Sequence, residues 1–182
     1  MRWTIISGTN RQDSMTLRFS HFVESELKKR CSADEVAIIN LLKLPKEIFD
    51  PQVYAEKPES FAPFQKQISD SDAIISVLPE YNGSAPGVYK YFIDMLSFPE
   101  SLRGLPCWFC GISAGRFGSL RSVEHMQQVF EYRNALVFPE YILIPQVENN
   151  FSEDKGITDE FQNKLFNESL DHFISFARKL RS

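Results

Sequence analysis

The sequence predicts an α/β fold in which helices cover both faces of a parallel β-sheet. Short runs of strand-forming residues alternate five times with segments whose apolar residues recur at helical spacing. Such alternation is typical of parallel strands that are joined by right-handed helical crossovers. The chain has 182 residues, of which 43% are hydrophobic, and this length suits one domain with one sizeable core. We therefore expect a single domain over residues 1–182.

The predicted strands are short and rich in β-branched or aromatic residues. Those in the middle of the chain are mostly apolar, which is typical of strands buried on both faces of a sheet. The last strand contains Pro139, which has no N–H group to donate to a neighbouring strand, so a break is expected there. The predicted strands cover residues 3–7, 35–40, 72–78, 106–112 and 136–144.

The predicted helices each present one apolar face, because their apolar residues lie three and four positions apart. Asp13 or Ser14 is expected to cap the first helix, and Pro86 to start the third. The segment 43–63 carries four prolines, and we interpret it as a long loop that covers a site or is mobile. The predicted helices cover residues 15–30, 64–69, 86–96, 119–132 and 166–180.

The composition excludes several classes of partner. Twenty Lys and Arg against twenty-four Asp and Glu give a net charge of −4, which disfavours nucleic acid and anionic membrane surfaces. No apolar run approaches the ~18–20 residues that a membrane-spanning helix needs. The first residues lack the apolar stretch of a signal peptide. These features predict a cytoplasmic protein that binds neither nucleic acid nor membrane.

The cysteines and histidines do not form a recognisable metal or catalytic set. Cys107 and Cys110 fall in a predicted strand, where residues three apart point to opposite faces. We therefore expect them to pack in the core rather than to form a zinc half-site or a redox pair. The histidines are distributed over three predicted helices, and no motif predicts a metal site or a hydrolytic triad.

Three loops after the first, third and fourth strands have unusual compositions. In an open parallel sheet, ligands bind beyond the carboxyl ends of the strands, at the point where the strand order reverses. The first of these loops opens onto a helix N-terminus, which attracts anions, and it carries Thr9, Arg11, Ser14 and Thr16 as donors. It contains neither a dinucleotide fingerprint nor a nucleoside-triphosphate loop. A phosphate site and a plain turn capped by Ser14 both remain open from this loop alone.

The second loop carries the most specific motif. It reads Pro-Glu-Tyr-Asn-Gly-Ser-Ala-Pro-Gly over residues 79–87, and Lys90 and the run Ile-Asp-Met-Leu-Ser at 93–97 follow it. This combination resembles the NADPH-dependent FMN reductase family, whose flavodoxin-like members include quinone, azo-dye and chromate reductases. The first loop resembles the phosphate loop of that family, Gly-Ser-x-Arg-x-x-Ser. Thr9 replaces the usual Ser, and Thr16 stands where the family often has Asn.

The third loop is also similar to its counterpart in that family, which commonly reads Ser-x-Gly-x-x-Gly-Gly. This chain keeps Ser113, Gly115 and Gly118 and has Ser119 in place of the last glycine. Small residues let a backbone approach a flat ring closely, although an ordinary strand-to-helix turn also explains them. The resemblance thus runs from the first strand to the fourth helix.

The resemblance implies a flavodoxin-like three-layer sandwich with a five-stranded parallel sheet of order 2-1-3-4-5. It also implies bound FMN, with NADPH or NADH as co-substrate. The activity would be transfer of a hydride through FMN to a small oxidised acceptor such as a quinone, free flavin, azo dye or metal oxyanion. The cofactor-binding residues would be Thr9, Arg11, Ser14, Met15, Thr16, Pro79, Glu80, Tyr81, Asn82, Gly83, Ser113, Gly115 and Gly118. No protein side chain is expected to act as a catalytic acid or base.

Other interpretations of the same residues stay open. An FMN-binding electron carrier, or a partner-binding module without turnover, would share the fold and the loops. Arg116 could meet a nicotinamide phosphate or lie in solvent. The resemblance also suggests a homodimer or homotetramer, in which a neighbouring subunit completes the exposed flavin face.

Overall fold

A five-stranded parallel sheet forms the centre of the computed structural model, which describes residues 1–181. Its strands are β1 (Arg2–Ser7), β2 (Glu35–Asn40), β3 (Ala73–Pro79), β4 (Pro106–Ile112) and β5 (Leu136–Ile144). They are hydrogen-bonded in the order β2-β1-β3-β4-β5. The predicted fold class and strand order are confirmed. Because the order reverses beside β1, the carboxyl ends of β1 and β3 border the expected ligand crevice.

Helices cover both faces of the sheet. They are α1 (Met15–Arg30), α2 (Ala62–Ser69), α3 (Gly87–Met95), α4 (Leu120–Tyr132), α5 (Val147–Asn150) and α6 (Glu160–Arg181). One apolar cluster joins β1, β3 and β4 to α1 and α6 through Phe19, Phe166 and Phe173. A second cluster on the opposite face includes Phe92 from α3 and Phe130 from α4. None of the helices in residues 1–181 is long and apolar enough to cross a membrane.

The starts of two helices test the predicted caps. Ser14 caps α1, since its hydroxyl accepts a hydrogen bond from the Leu17 N–H at 3.2 Å. Asp13 is not the cap; it adopts a positive φ of 48° just before it. Pro86 occupies the cap position of α3, so the helix begins at Gly87, one residue later than predicted.

The proline-rich segment is ordered differently from the predicted long loop. It forms four 3₁₀ turns, at Leu41–Lys43, Lys46–Phe49, Pro51–Tyr54 and Glu59–Phe61, and α2 begins at Ala62. Ile48, Val53 and Phe61 from these turns are buried in the second apolar cluster. The prediction of an irregular loop was therefore wrong, because prolines also suit the starts of short helical turns: Pro51 is the first residue of its turn, and Pro45 and Pro58 stand immediately before theirs.

β5 continues through Pro139, contrary to the expected break. Its pairing with β4 shifts between Val137 and Tyr141, which lie opposite Cys107 and Phe109. The three residues between Val137 and Tyr141 therefore face only Trp108, and the strand bulges at the proline. Because β5 is an edge strand, the bulge removes the need for a proline N–H without ending the strand.

Residues 145–165 received no prediction, and they form small elements beside the sheet. After α5, the strands β6 (Phe151–Ser152) and β7 (Gly156–Ile157) pair in an antiparallel hairpin. Gly156 has a φ of 70°, and a Cβ there would lie 2.7 Å from the Phe22 ring of α1. The close approach anchors the hairpin on α1, and α6 then begins six residues earlier than predicted, at Glu160.

The two strand cysteines lie in the core, as predicted. Cys107 belongs to the cluster on the α3–α4 face of the sheet, and Cys110 to the cluster on the α1–α6 face. Burial raises the pKa of both thiols well above the ordinary value. The protonated thiols are packing groups with no shared ligand position.

Candidate functional site

A cavity of about 590 Å³ opens at the carboxyl edge of the sheet. We name its walls loop 1 (residues 8–14, between β1 and α1), loop 2 (80–86, between β3 and α3) and loop 3 (113–119, between β4 and α4). The first turns of α1 and the start of α5 complete it. The lining residues are Arg11, Gln12, Asp13, Ser14, Met15, Thr16, Arg18, Pro79, Glu80, Tyr81, Ile112, Ser113, Ala114, Val147 and Glu148.

Loop 1 leads the backbone into α1 so that the N-terminus of the helix faces the cavity. The first turn of α1 contains no acidic residue, so the positive end of the helix dipole is available to an anion. Within residues 1–181, the amides of Met15 and Thr16 have no hydrogen-bond acceptor. Arg11 is exposed on the same wall. This end of the cavity can therefore bind a phosphate.

A hydrogen bond joins loop 1 to loop 2. The hydroxyls of Thr9 and Tyr81 lie 2.8 Å apart, and the Thr9 oxygen also accepts a bond from the Arg11 N–H at 3.2 Å. Thr9 is only 1% exposed. Its hydroxyl thus acts behind the cavity wall, where it fixes the position of the Tyr81 ring that lines the cavity.

Loop 2 is a tight turn whose ends are also fixed. Tyr81 and Ser84 exchange two backbone hydrogen bonds, and Asn82 and Gly83 between them both have positive φ. The Glu80 carboxylate accepts bonds from Arg121 of α4, from the backbone N–H at 3.2 Å and from Nη1 at 3.3 Å. Side chains of loop 2 therefore reach both loop 1 and α4.

Loop 3 uses much of its backbone on protein contacts. The Ser113 N–H donates to Ile144, and the Ser113 carbonyl accepts from Val147. The Gly115 carbonyl accepts a bond from the Gln146 N–H at 3.1 Å and from the Ser113 hydroxyl at 3.1 Å. These bonds fasten the loop to the end of β5 and to α5. Loop 3 is thus a preformed wall.

Gly118 packs against β5 and is not among the residues that line the cavity, although the sequence motif suggested a cofactor contact. It has a φ of 59°, and a Cβ there would lie 2.7 Å from the Leu143 side chain. Gly111 below it is equally crowded, since a Cβ would lie 2.4 Å from the Gly118 carbonyl oxygen. Both glycines permit loop 3 to pack against β5, and neither lines the cavity.

The cavity gathers most of the residues that the sequence singled out. Eight of them line it: Arg11, Ser14, Met15, Thr16, Pro79, Glu80, Tyr81 and Ser113. Five others lie behind or beside the wall: Thr9, Asn82, Gly83, Gly115 and Gly118. Arg116 is exposed and does not line the cavity.

Some lining residues come from outside the three motifs and were not predicted. Val147 and Glu148 belong to α5, which follows β5 at the same edge of the sheet. The rule that placed the other loops also applies to this fourth one, and it would have found them. Arg18 lies four residues after Ser14, and this spacing on α1 places both on one helix face.

The residues of this cavity fit FMN. The free amides of Met15 and Thr16, the hydroxyl of Ser14 and the charge of Arg11 suit a phosphate. Pro79 and Tyr81 on one side and Ser113 on the other leave a slot between loops 2 and 3. The volume lies within the range of small-molecule cofactor sites.

Comparisons with known proteins match the chain to flavin-dependent reductases. The sequence model described as NADPH-dependent FMN reductase matches residues 1–149. An NAD(P)H-dependent FMN reductase of Pseudomonas aeruginosa is 34% identical over 139 residues, which cover 74% of this chain and 75% of that protein. A 2-hydroxy-1,4-benzoquinone reductase of a Burkholderia species is 27% identical over 100% of this chain and 98% of its own length.

Solved structures show the same fold. The flavoenzyme NAD(P)H:(acceptor) oxidoreductase FerB of Paracoccus denitrificans superposes with a TM-score of 0.77 at 23% identity. The match covers 98% of this chain and 97% of FerB. An NADH:FMN oxidoreductase, EmoB, gives a TM-score of 0.76 at 16% identity, over 94% of this chain and 87% of that one. With the family match, these findings lead to one assignment: the chain belongs to the NADPH-dependent FMN reductase family and is an FMN-dependent NAD(P)H oxidoreductase.

Proposed function

We propose that this oxidoreductase reduces quinones, with FMN held between loops 1, 2 and 3. The support for this acceptor is that two relatives matched over almost their whole length are quinone-reducing enzymes by name. One is the Burkholderia benzoquinone reductase, and the other is a quinone reductase of Pseudomonas putida, 27% identical over 98% of this chain and 95% of its own. A flat, neutral acceptor also suits a slot bordered by Pro79 and Tyr81.

The observation that carries the binding mode is the free helix N-terminus at one end of the cavity. In our proposal the amides of Met15 and Thr16, the Ser14 hydroxyl and Arg11 hold the phosphate of FMN. Pro79 and Tyr81 would hold one side of the ring, and Ser113 would hold the other. The buried hydroxyl of Thr9 supports Tyr81 from behind.

The chain's own part in the reaction is binding and orientation. When bound, FMN supplies the redox chemistry, which is hydride transfer from reduced nicotinamide to an oxidised acceptor. Tyr81, fixed by Thr9, and Ser113, fixed by the Gly115 carbonyl, hold the two sides of the slot at a set separation. Met15 and Pro79 contribute apolar surface to the lining of the cavity. Among the described residues no acid or base is needed for this role.

Steady-state kinetics test the proposal. The protein loaded with FMN should oxidise NADH or NADPH with 1,4-benzoquinone, and the initial rates should give parallel double-reciprocal lines because both substrates use one slot. Free FMN, an azo dye and chromate should give lower kcat/KM than the quinone. If the protein oxidises neither NADH nor NADPH, it does not turn over, and an electron carrier is favoured. If it prefers another acceptor, only the proposed acceptor changes.

We further propose that the protein is a homodimer in which α3 and α4 form the contact. A groove of about 640 Å³ lies between these helices, adjacent to loop 2 at Ser84. At its rim the rings of Phe98 and Tyr132 stack, 60% and 77% exposed. Exposed aromatic residues on one patch are typical of contacts between subunits. Light scattering at micromolar concentration should give about twice the chain mass of 21.0 kDa. The variant Tyr132→Glu should give the mass of one chain. A monomeric mass for both the parent and the variant would refute the contact.

A further inference from the structure

We propose that Glu80 is a positioning residue, which caps helix α4 from loop 2 and so holds loops 2 and 3 together around the cofactor cavity. The inference rests on the proposed binding of FMN between these loops. It gives Glu80 a role other than the direct cofactor contact that the sequence motif suggested.

The first observation is that α4 has no cap of its own. Ser119 stands at the cap position, but its backbone is left-handed, with φ 74° and ψ 27°, and its side chain makes no capping bond. The Ser119 hydroxyl is buried and has no hydrogen-bond partner within residues 1–181. The Leu120 N–H donates to the Phe117 carbonyl at 3.2 Å, so Arg121 is the first residue of α4 whose N–H needs an acceptor from outside loop 3.

Glu80 supplies that acceptor. One carboxylate oxygen accepts the N–H of Arg121, the second residue of α4, at 3.2 Å, and the other accepts Nη1 of the same residue at 3.3 Å. The Glu80 side chain is 17% exposed. A carboxylate at a helix N-terminus is also stabilised by the helix dipole. Both carboxylate oxygens thus accept hydrogen bonds from α4, although Glu80 also lines the cavity.

The side chain of Arg121 extends this contact across both loops. A Cβ at Gly83, in the middle of loop 2, would lie 3.7 Å from the Arg121 Cδ. The Arg121 guanidinium lies 5.8 Å from the centre of the Phe117 ring of loop 3. Arg121 therefore contacts the turn of loop 2 and the end of loop 3, while Glu80 fixes its position.

Tyr81 makes the opposite connection, since its hydroxyl lies 2.8 Å from that of Thr9 in loop 1. The two adjacent residues Glu80 and Tyr81 thus connect loop 2 to α4 on one side and to loop 1 on the other. A site held in this way is preorganised, so less ordering opposes ligand binding. Releasing the α4 side should weaken FMN binding even though the residues that contact the phosphate are unchanged.

The test compares Glu80→Ala and Glu80→Gln with Glu131→Gln, which removes the same charge at the exposed far end of α4. FMN affinity is measured by fluorescence quenching on the apoprotein, and amide hydrogen exchange is followed at Arg121. In Glu80→Ala the FMN dissociation constant should rise about ten-fold, because a cap that contributes ~1.4 kcal/mol no longer favours the loop arrangement that binds FMN. The Arg121 amide should also exchange faster. Glu80→Gln keeps an oxygen acceptor, and it should restore affinity to within about three-fold of the parent. Glu131→Gln should match the parent.

Two results would overturn the inference. If Glu80→Ala and the parent have equal FMN affinity and equal protection of the Arg121 amide, Glu80 does not act as a cap. If Glu80→Gln and Glu80→Ala lose the same FMN affinity, the contact depends on the charge of Glu80 and not on an oxygen acceptor. If Glu80→Ala does not fold, Arg121→Ala keeps the backbone N–H and should lose less than three-fold in affinity; a loss of ten-fold or more would contradict the dominance of the cap. A parent protein that does not bind FMN would instead refute the proposed function.

Discussion

Loops 1 and 3 have similar sequence signals and use them in different ways. Both join a parallel strand to a helix, and both contain glycine and hydroxyl residues. Loop 1 leaves the amides of Met15 and Thr16 without acceptors at the cavity, whereas loop 3 spends its carbonyl and amide groups on β5 and α5. Gly118 of loop 3 and Gly111 at the end of β4 are required for packing. A glycine after a strand can therefore mark a close contact within the protein as readily as a close approach to a ligand.

The largest effect is expected from changes in loop 1, on the side that binds the ligand. We predict that the double variant Arg11→Ala with Ser14→Ala weakens FMN binding by about 2–4 kcal/mol, because each lost contact to a phosphate contributes ~1–3 kcal/mol. Arg116→Ala, which removes an exposed arginine from loop 3, is the matched control and should change FMN affinity by less than about 0.5 kcal/mol. Affinity should be measured by fluorescence quenching. Equal losses in the two proteins would show that loop 1 has no special role.

A smaller effect is expected at the glycines on which the packing of loop 3 depends. Gly111→Ala should lower the free energy of unfolding by about 1–3 kcal/mol, since its Cβ would lie 2.4 Å from a backbone oxygen that cannot move freely. Gly115→Ala is the control, because its Cβ would meet nothing closer than 3.7 Å. Urea denaturation of both apoproteins measures the difference. A stable Gly111→Ala protein would mean that loop 3 is free to shift.

The smallest effect concerns the strand directly below loop 3. Burial raises the pKa of Cys107 and Cys110, so both thiols stay protonated and covered at neutral pH. In the native protein we expect neither to react with an aromatic disulfide reagent within minutes, and both to react in urea. Rapid native labelling at Cys110, identified by mass spectrometry, would indicate that β4 and loop 3 open together.

Local sequence patterns were sufficient for the strands and for the cap of α1, whereas the strand order and the phosphate site were expected from the family resemblance. The buried strands and the Ser14 cap depend on nearby residues, and both are confirmed. The role of Gly118 could not be read in this way, since it depends on Leu143, which is distant in the chain. The same is true of Glu80, whose partner is 41 residues away in α4. The motifs identify these residues, but whether a residue packs within the protein or lines the cavity depends on its tertiary contacts.

The bulge in β5 also affects how the exposed edge of the sheet behaves toward other chains. An edge strand with a regular row of free N–H and C=O groups invites a second chain to add a strand, which can lead to aggregation. Here Pro139 offers no donor, and the shifted register beside it distorts the row on both sides. A β-strand of another chain therefore meets no continuous row of hydrogen-bonding groups on β5. This protection applies to β5 and not to the other edge strand, β2, whose register with β1 is regular.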